Sequence, residues 1–160
     1  MAVLVRSALE SDSADISRLT SQLGYDAPES AVASRLSRIV GRKDQTLLIA
    51  EADDRPVGWL HAVTCEFIES EAFVLIAGLV VDTAHRRSGV GRLLLERAED
   101  WARTRGCSIV RLSSTSTRTA AHQFYEHLGY VNVKTQVSFV KSVDPDRQLD
   151  ASKFVPRVDQ

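Results

Sequence analysis

The run FVLIAGLVV, residues 73–81, is the longest uncharged apolar stretch in the chain, broken once by Gly78. A membrane span needs about 20 apolar residues, so this run is far too short to be one. A short apolar run next to a turn signal, here Glu69–Glu71, reads as a buried strand. Such a strand must be covered by other layers of structure, which the rest of the chain has to supply. Its glycine marks either a bulge with close backbone approach or a small residue set against a large core neighbour.

The residues after this run limit the fold further. From Gly89 to about Arg105 the apolar residues Val90, Leu94, Ala98 and Trp101 recur at helical spacing, and Gly106 ends the helix. Ser108–Ser113 is then a strand, so residues 73–113 make a single β–α–β crossover. The chain before it is of another kind. Val3–Arg6 is a short strand; Ser11–Leu23 and the stretch from Pro28 to Gly41 are amphipathic helices. Thr46–Ala52 and Val57 to about Phe67 form an antiparallel hairpin around the turn Asp53-Asp54-Arg55-Pro56. After the crossover come a helix over Thr119–Leu128 capped by Gly129, then two alternating strands, Tyr130–Lys134 and Val137–Lys141. Antiparallel strands leading into one crossover give α+β or mixed α/β, not an alternating doubly wound sheet. One domain over 1–143 and a polar tail over 144–160 are expected.

Composition excludes more than it selects. A net charge of −1 gives no global attraction for nucleic acid, so any anion binding must be local. Cys65 and Cys107 lie in apolar stretches without metal-ligand spacing, as expected of reduced thiols in a cytoplasmic protein. The N-terminus has acids too early for a signal peptide.

The local anion site is the start of the crossover helix, HRRSGVGRLLLERAEDWAR, residues 85–103. A helix N-terminus attracts acids, yet Arg86, Arg87 and Arg92 crowd this one around Gly89 and Gly91. Free N–H groups at such an end bind phosphate, and glycines let it approach. A P-loop would need GxxxxGK[ST], and a dinucleotide fingerprint would need a third glycine after Gly91. Neither string is present, which leaves a pyrophosphate held by the amides of Arg87–Arg92, or a plain surface helix with a glycine turn.

LVVDTAHRRSGVGRLLLERAEDWA followed by AAHQFYEHLGYV resembles the GNAT superfamily of acetyl-CoA-dependent N-acetyltransferases. The family motif R/Q-x-x-G-x-G/A matches Arg86, Gly89 and Gly91, and A-x-x-x-Y-x-x-x-G-F/Y matches Ala121, Tyr125, Gly129 and Tyr130. The resemblance runs from Val3 to about Lys141. It implies a mostly antiparallel sheet of six to seven strands, splayed between the fourth and fifth, with about four helices. It implies that backbone groups of Leu79, Val80 and Val81 hold the pantetheine arm of acetyl-CoA. The loop of Arg86, Arg87, Ser88, Gly89, Val90, Gly91 and Arg92 would take the pyrophosphate. Arg118 replaces an Asn found in many relatives, and either reaches the cofactor or points to solvent.

Tyr125 is implied as the general acid, since a phenol with pKa near 10 can protonate a departing thiolate. The general base stays open among Glu66, Glu69, Glu71 and His61, because Leu75 stands where some relatives carry a Glu. Tyr25, Asp26, Glu29, Trp59 and the three turn acids are candidates for an acceptor pocket suited to a cationic amine. The pattern is similar to aminoglycoside-modifying enzymes, implying a small-molecule amine acceptor. A peptide amine, or a non-catalytic acyl-CoA-binding module, is the alternative. No metal, nucleic-acid or membrane partner is expected, and a homodimer is compatible with the family.

Overall fold

The computed structural model describes residues 1–154. Its sheet comprises β1 (Val3–Ser7), β2 (Gln45–Ala52), β3 (Arg55–Cys65), β4 (Phe73–Val81) and β5 (Val110–Arg111). These lie in the order β1-β2-β3-β4-β5, antiparallel as far as β4, with β4 and β5 parallel. The helices are α1 (Ser13–Ser21), α2 (Glu29–Ile39), α3 (Val90–Thr104) and α4 (Thr119–His127). The parallel pair is joined through α3, as a crossover requires.

The β2–β3 hairpin turns at Asp53 and Asp54, with φ of 50° and 59°. Positive φ at both central residues matches the twist of paired strands, and Asp tolerates it. Side chains alternate along the strands to feed two cores. Leu48, Ala50 and Leu60 pack with Leu94, Leu95 and Ala98 of α3 on one face. Ile49 packs with Ile16 of α1 and with Val32 and Leu36 of α2 on the other, where Trp59 joins them. Phe73, Leu94 and Leu60 are fully buried, each contributing about 1.5–3 kcal/mol of apolar burial. Ahead of α1, Asp12 accepts two hydrogen bonds from Arg6 at 2.8 Å and one from the Leu9 N–H at 2.7 Å. Those bonds hold its carboxyl below the usual carboxylate range and tie β1 to α1.

The mixed α/β class stands, with corrections at the C-terminal end. The sheet has five strands among the described residues, not six or seven. Ser108–Ser113 is reduced to the two paired residues Val110 and Arg111. Tyr130–Lys134 and Val137–Lys141 form no strands, and residues 131–141 are exposed. Their alternation is real, but a strand needs a partner for its backbone groups, and none pairs with them among the described residues.

Candidate active site

The β4–β5 ladder extends over only two pairs, Val74 with Val110 and Leu75 with Arg111. Beyond them the strands part, so the splay lies between β4 and β5 and opens toward the C-terminal end of β4. From Ile76 to Val81 the β5 side of β4 has no ladder partner, and Ala77 is exposed in the middle of the strand. On the other edge the β3 register passes from His61–Gly78 to Ala62–Ile76, which leaves Ala77 as the extra residue of a bulge. Both readings of Gly78 hold together. A Cβ there would stand 2.7 Å from the Trp59 ring, so the bulge exists where an indole presses on the strand.

After Val81 the chain makes a tight loop into α3. The Asp82 carboxylate accepts from the Ala84 N–H at 3.0 Å, and the Ser88 hydroxyl donates to the His85 carbonyl. Arg87 and Gly89 both have positive φ, 62° and 87°, and Gly89 is the N-cap of α3. Alternating backbone of this kind turns successive N–H groups toward one side, which makes an anion nest. The first turn of α3 has no acid and Gly89 brings no capping side chain, so no side chain of the cap satisfies these donors. Open space lies around a Cβ at Gly89, whereas at Gly91 it would meet Phe124 at 3.2 Å and Val81 at 3.5 Å. Gly89 is thus required by conformation and Gly91 by the packing of α3 on α4 and β4. The arginines divide as well. Arg86 and Arg87 are exposed on the loop, while the Arg92 guanidinium turns along the helix to Glu96 at 2.7 Å.

A tie missed in the sequence braces this loop. Arg18 of α1 donates to Asp82 at 2.7 Å and to the Pro56 carbonyl at 2.8 Å. The Gln22 side-chain oxygen accepts from the Thr83 N–H at 2.9 Å. Burial pushes the Asp82 carboxyl up, but Arg18, the Ala84 N–H and Gln22 together hold it below the usual range. No local motif announces a contact between residues 64 apart.

α4 packs against the start of α3. Phe124 and Tyr125 pack in the same core as Leu79, Val81 and Leu112. Their rings are 5.2 Å apart, and Tyr125 meets Tyr130 edge-on at 6.0 Å. The Tyr130 hydroxyl is committed to Glu99 at 2.9 Å, an acid that together with burial raises its pKa. Burial also raises the Tyr125 pKa, partly offset by the positive charge of Arg118. Arg118, the N-cap residue of α4, is half-buried and stands within electrostatic reach of that phenol.

The other candidates fall into separate groups. Glu66, Glu69 and Glu71 are exposed in the β3–β4 turn, at the end of β4 away from the nest. The eight steps from Phe73 to Val81 span roughly 26 Å at strand rise. Tyr25, Asp26 and Glu29 come after α1, on the opposite side of the sheet from α3. His61 stands opposite Gly78 at the bulge, half-buried, its Nε2 2.8 Å from the Gln45 side-chain oxygen. Burial lowers its pKa, so the ring is neutral at neutral pH. His122 and His127 are occupied by backbone carbonyls of Thr115 and Gln123. Among the described residues no three His, Cys, Asp or Glu are grouped to hold a metal ion. No helix there is long and apolar enough to cross a membrane.

Known proteins resemble this chain in sequence and in fold. One relative, the aminoglycoside N(6')-acetyltransferase type 1 of Acinetobacter haemolyticus, is 26% identical over 144 residues, or 88% of this chain and 99% of its own. A protein of the same name from Klebsiella aerogenes is 28% identical over 137 residues, 81% of this chain and 90% of its own. The aminoglycoside N-acetyltransferase AAC(6')-Iy, solved with the bisubstrate analogue CoA-S-monomethyl-acetylneamine, superposes with a TM-score of 0.80 at 19% identity. That superposition covers 89% of this chain and 99% of the other, and supports the fold alone. The profile of the acetyltransferase (GNAT) family matches residues 14–130, from the first helix through the opened strand and the glycine loop to Tyr130. The chain is therefore an acyltransferase belonging to the GNAT family of acetyltransferases.

Proposed function

We propose that this enzyme transfers acetyl from acetyl-CoA to a primary amine of a small molecule, by direct attack in a ternary complex. The observation that carries the reading is the continuity of three features: the unpaired β4 edge, the glycine loop after it, and Tyr125 on the helix packed against the start of α3. The backbone of Leu79, Val80 and Val81 pairs with the amide-bearing pantetheine arm as a further strand would. The amides of Arg87–Arg92 take the pyrophosphate, with Ser88 and Val90 in the same turn, and the arginines beside them add positive field. The amine nitrogen attacks the thioester carbonyl, the C–S bond breaks, and Tyr125 gives its proton to the departing sulfur. Its raised pKa suits a group that must stay protonated until that step.

The amine must shed protons, and among the base candidates His61 alone stands beside the bulge. With Nε2 donating to Gln45, its Nδ1 is left as the basic nitrogen, and we assign it that role. Relatives whose names specify the 6'-amine of aminoglycosides favour an acceptor of that class, a compact polycationic amine. Exposed Asp26 and Glu29 offer charge to attract it.

Thiol release measured over aminoglycosides, other polyamines, amino acids and peptides tests the reading. Turnover confined to small polyamines is the expected result. Turnover on peptides alone would point to a protein substrate, and acetyl-CoA binding without turnover to a non-catalytic module. Tyr125→Phe should lower kcat by about 10²–10⁴-fold while the Kd for acetyl-CoA stays within about twofold. An unchanged kcat would remove Tyr125 from the chemistry.

A further inference from the structure

We propose, resting on the reading that an acyl-CoA lies along the unpaired edge of β4, that Trp59 sets the length of the acyl group this enzyme accepts. Its ring, seated on Gly78, leaves room at the thioester for acetyl and excludes longer chains.

The indole and the glycine are fitted to each other. A Cβ at Gly78 would stand 2.7 Å from both Cη2 and Cζ3 of Trp59, closer than a real side chain can come. Gly78 is not among the described glycines with positive φ, so the backbone there would accept another residue and the ring alone forbids it. The ring is also held from behind. Trp59 packs with Ile16, Val32, Leu36 and Ile49, in the core under α1 and α2. Its Nε1 is buried with no hydrogen-bond partner among the described residues, so packing fixes its position. A close-packed wall of this kind does not give way to added methylenes without strain.

The wall stands where the acyl group arrives. The glycine loop follows Val81, so the arm enters there and runs back along Val80 and Leu79 toward Gly78. The three steps from Val81 to Gly78 cover about 10 Å at strand rise. The thioester end of an arm paired with Leu79–Val81 therefore comes to Gly78 and the exposed bulge residue Ala77. Few directions are open to a growing chain at that point. Ahead, the opening ends where the β4–β5 ladder closes at Leu75 and Arg111. On the α3 face, Leu79 and Val81 pack in one core with Phe124 and Tyr125. On the α1 and α2 face stands the indole. Acetyl ends at its methyl, whereas each further methylene has to be placed in volume that the ring holds.

Thiol release over acetyl-, propionyl-, butyryl- and hexanoyl-CoA, with one amine at saturation, tests the wall. The ratio of kcat/KM between donors cancels any effect of Trp59 on the acceptor. The wild-type value is expected to fall by about 10²-fold from acetyl to butyryl, and Trp59→Leu to bring the two within about fivefold. Trp59→Phe, which keeps a ring in the core, is expected to shift the preference in the same direction and serves if the Leu variant does not fold. A wild type that uses hexanoyl-CoA as well as acetyl-CoA would overturn the proposal. So would a folded Trp59→Leu enzyme with the wild-type preference. Calorimetric Kd values for the same thioesters need no acceptor and separate this proposal from the transfer reading. Wild type is expected to bind butyryl-CoA at least about tenfold more weakly than acetyl-CoA, and Trp59→Leu to bind both alike. Equal wild-type Kd values would remove the wall even if amines are acetylated. Graded Kd values without turnover would uphold the wall and deny the transfer, and no binding of any CoA thioester would overturn both.

Discussion

At Gly78 and His61 the shape of the β3–β4 ladder depends on single atoms. The glycine leaves room for the Trp59 ring, and the slip of the β3–β4 ladder sets His61 opposite it. Gly78 could be recognised in the sequence because a glycine inside an apolar strand has few explanations. The indole responsible could not, since Trp59 reaches it across a strand pairing that no local pattern encodes. His61 was legible only as one of four candidates. Its promotion rests on register and on the bond to Gln45, both tertiary. Burial lowers its pKa, so the base form persists below the ordinary histidine value of about 6.5, and only under more acidic conditions does protonation remove it. The wild-type kcat/KM profile should therefore carry an acid limb below that value. His61→Gln should abolish that limb and lower the plateau by about 10²-fold. A variant with an unaltered profile would return the base role to a carboxylate or to water.

Among the elements, the glycine loop and α3 were the most legible, because caps, glycines and helical spacing are all written within twenty residues. The bracing of that loop by α1 was not legible. Arg18 and Gln22 look like ordinary polar positions on an amphipathic helix until the fold places them against Asp82 and Thr83. Their consequence is that α1 also steadies the loop ahead of α3. Arg18→Ala should release the loop and raise KM for acetyl-CoA with kcat nearly unchanged. The Arg18 side chain is 45% exposed, so its pair with Asp82 contributes no more than about 1 kcal/mol, which translates to a two- to fivefold rise. Arg103→Ala supplies the control. Its ion pair with Asp100 lies at the other end of α3, and its loss should leave KM alone. Steady-state kinetics with varied acetyl-CoA separates the two, and equal KM values for Arg18→Ala and wild type would deny the brace a part in binding.

For the whole molecule, the sequence was informative where local pattern and burial agree and misleading where they part. Both cores arise from alternation in β2 and β3 together with the apolar stripes of α1, α2 and α3. The same alternation in Tyr130–Lys134 and Val137–Lys141 predicts strands, yet among the described residues no ladder receives them. Periodicity specifies that a segment can pair and says nothing of which molecule supplies the partner.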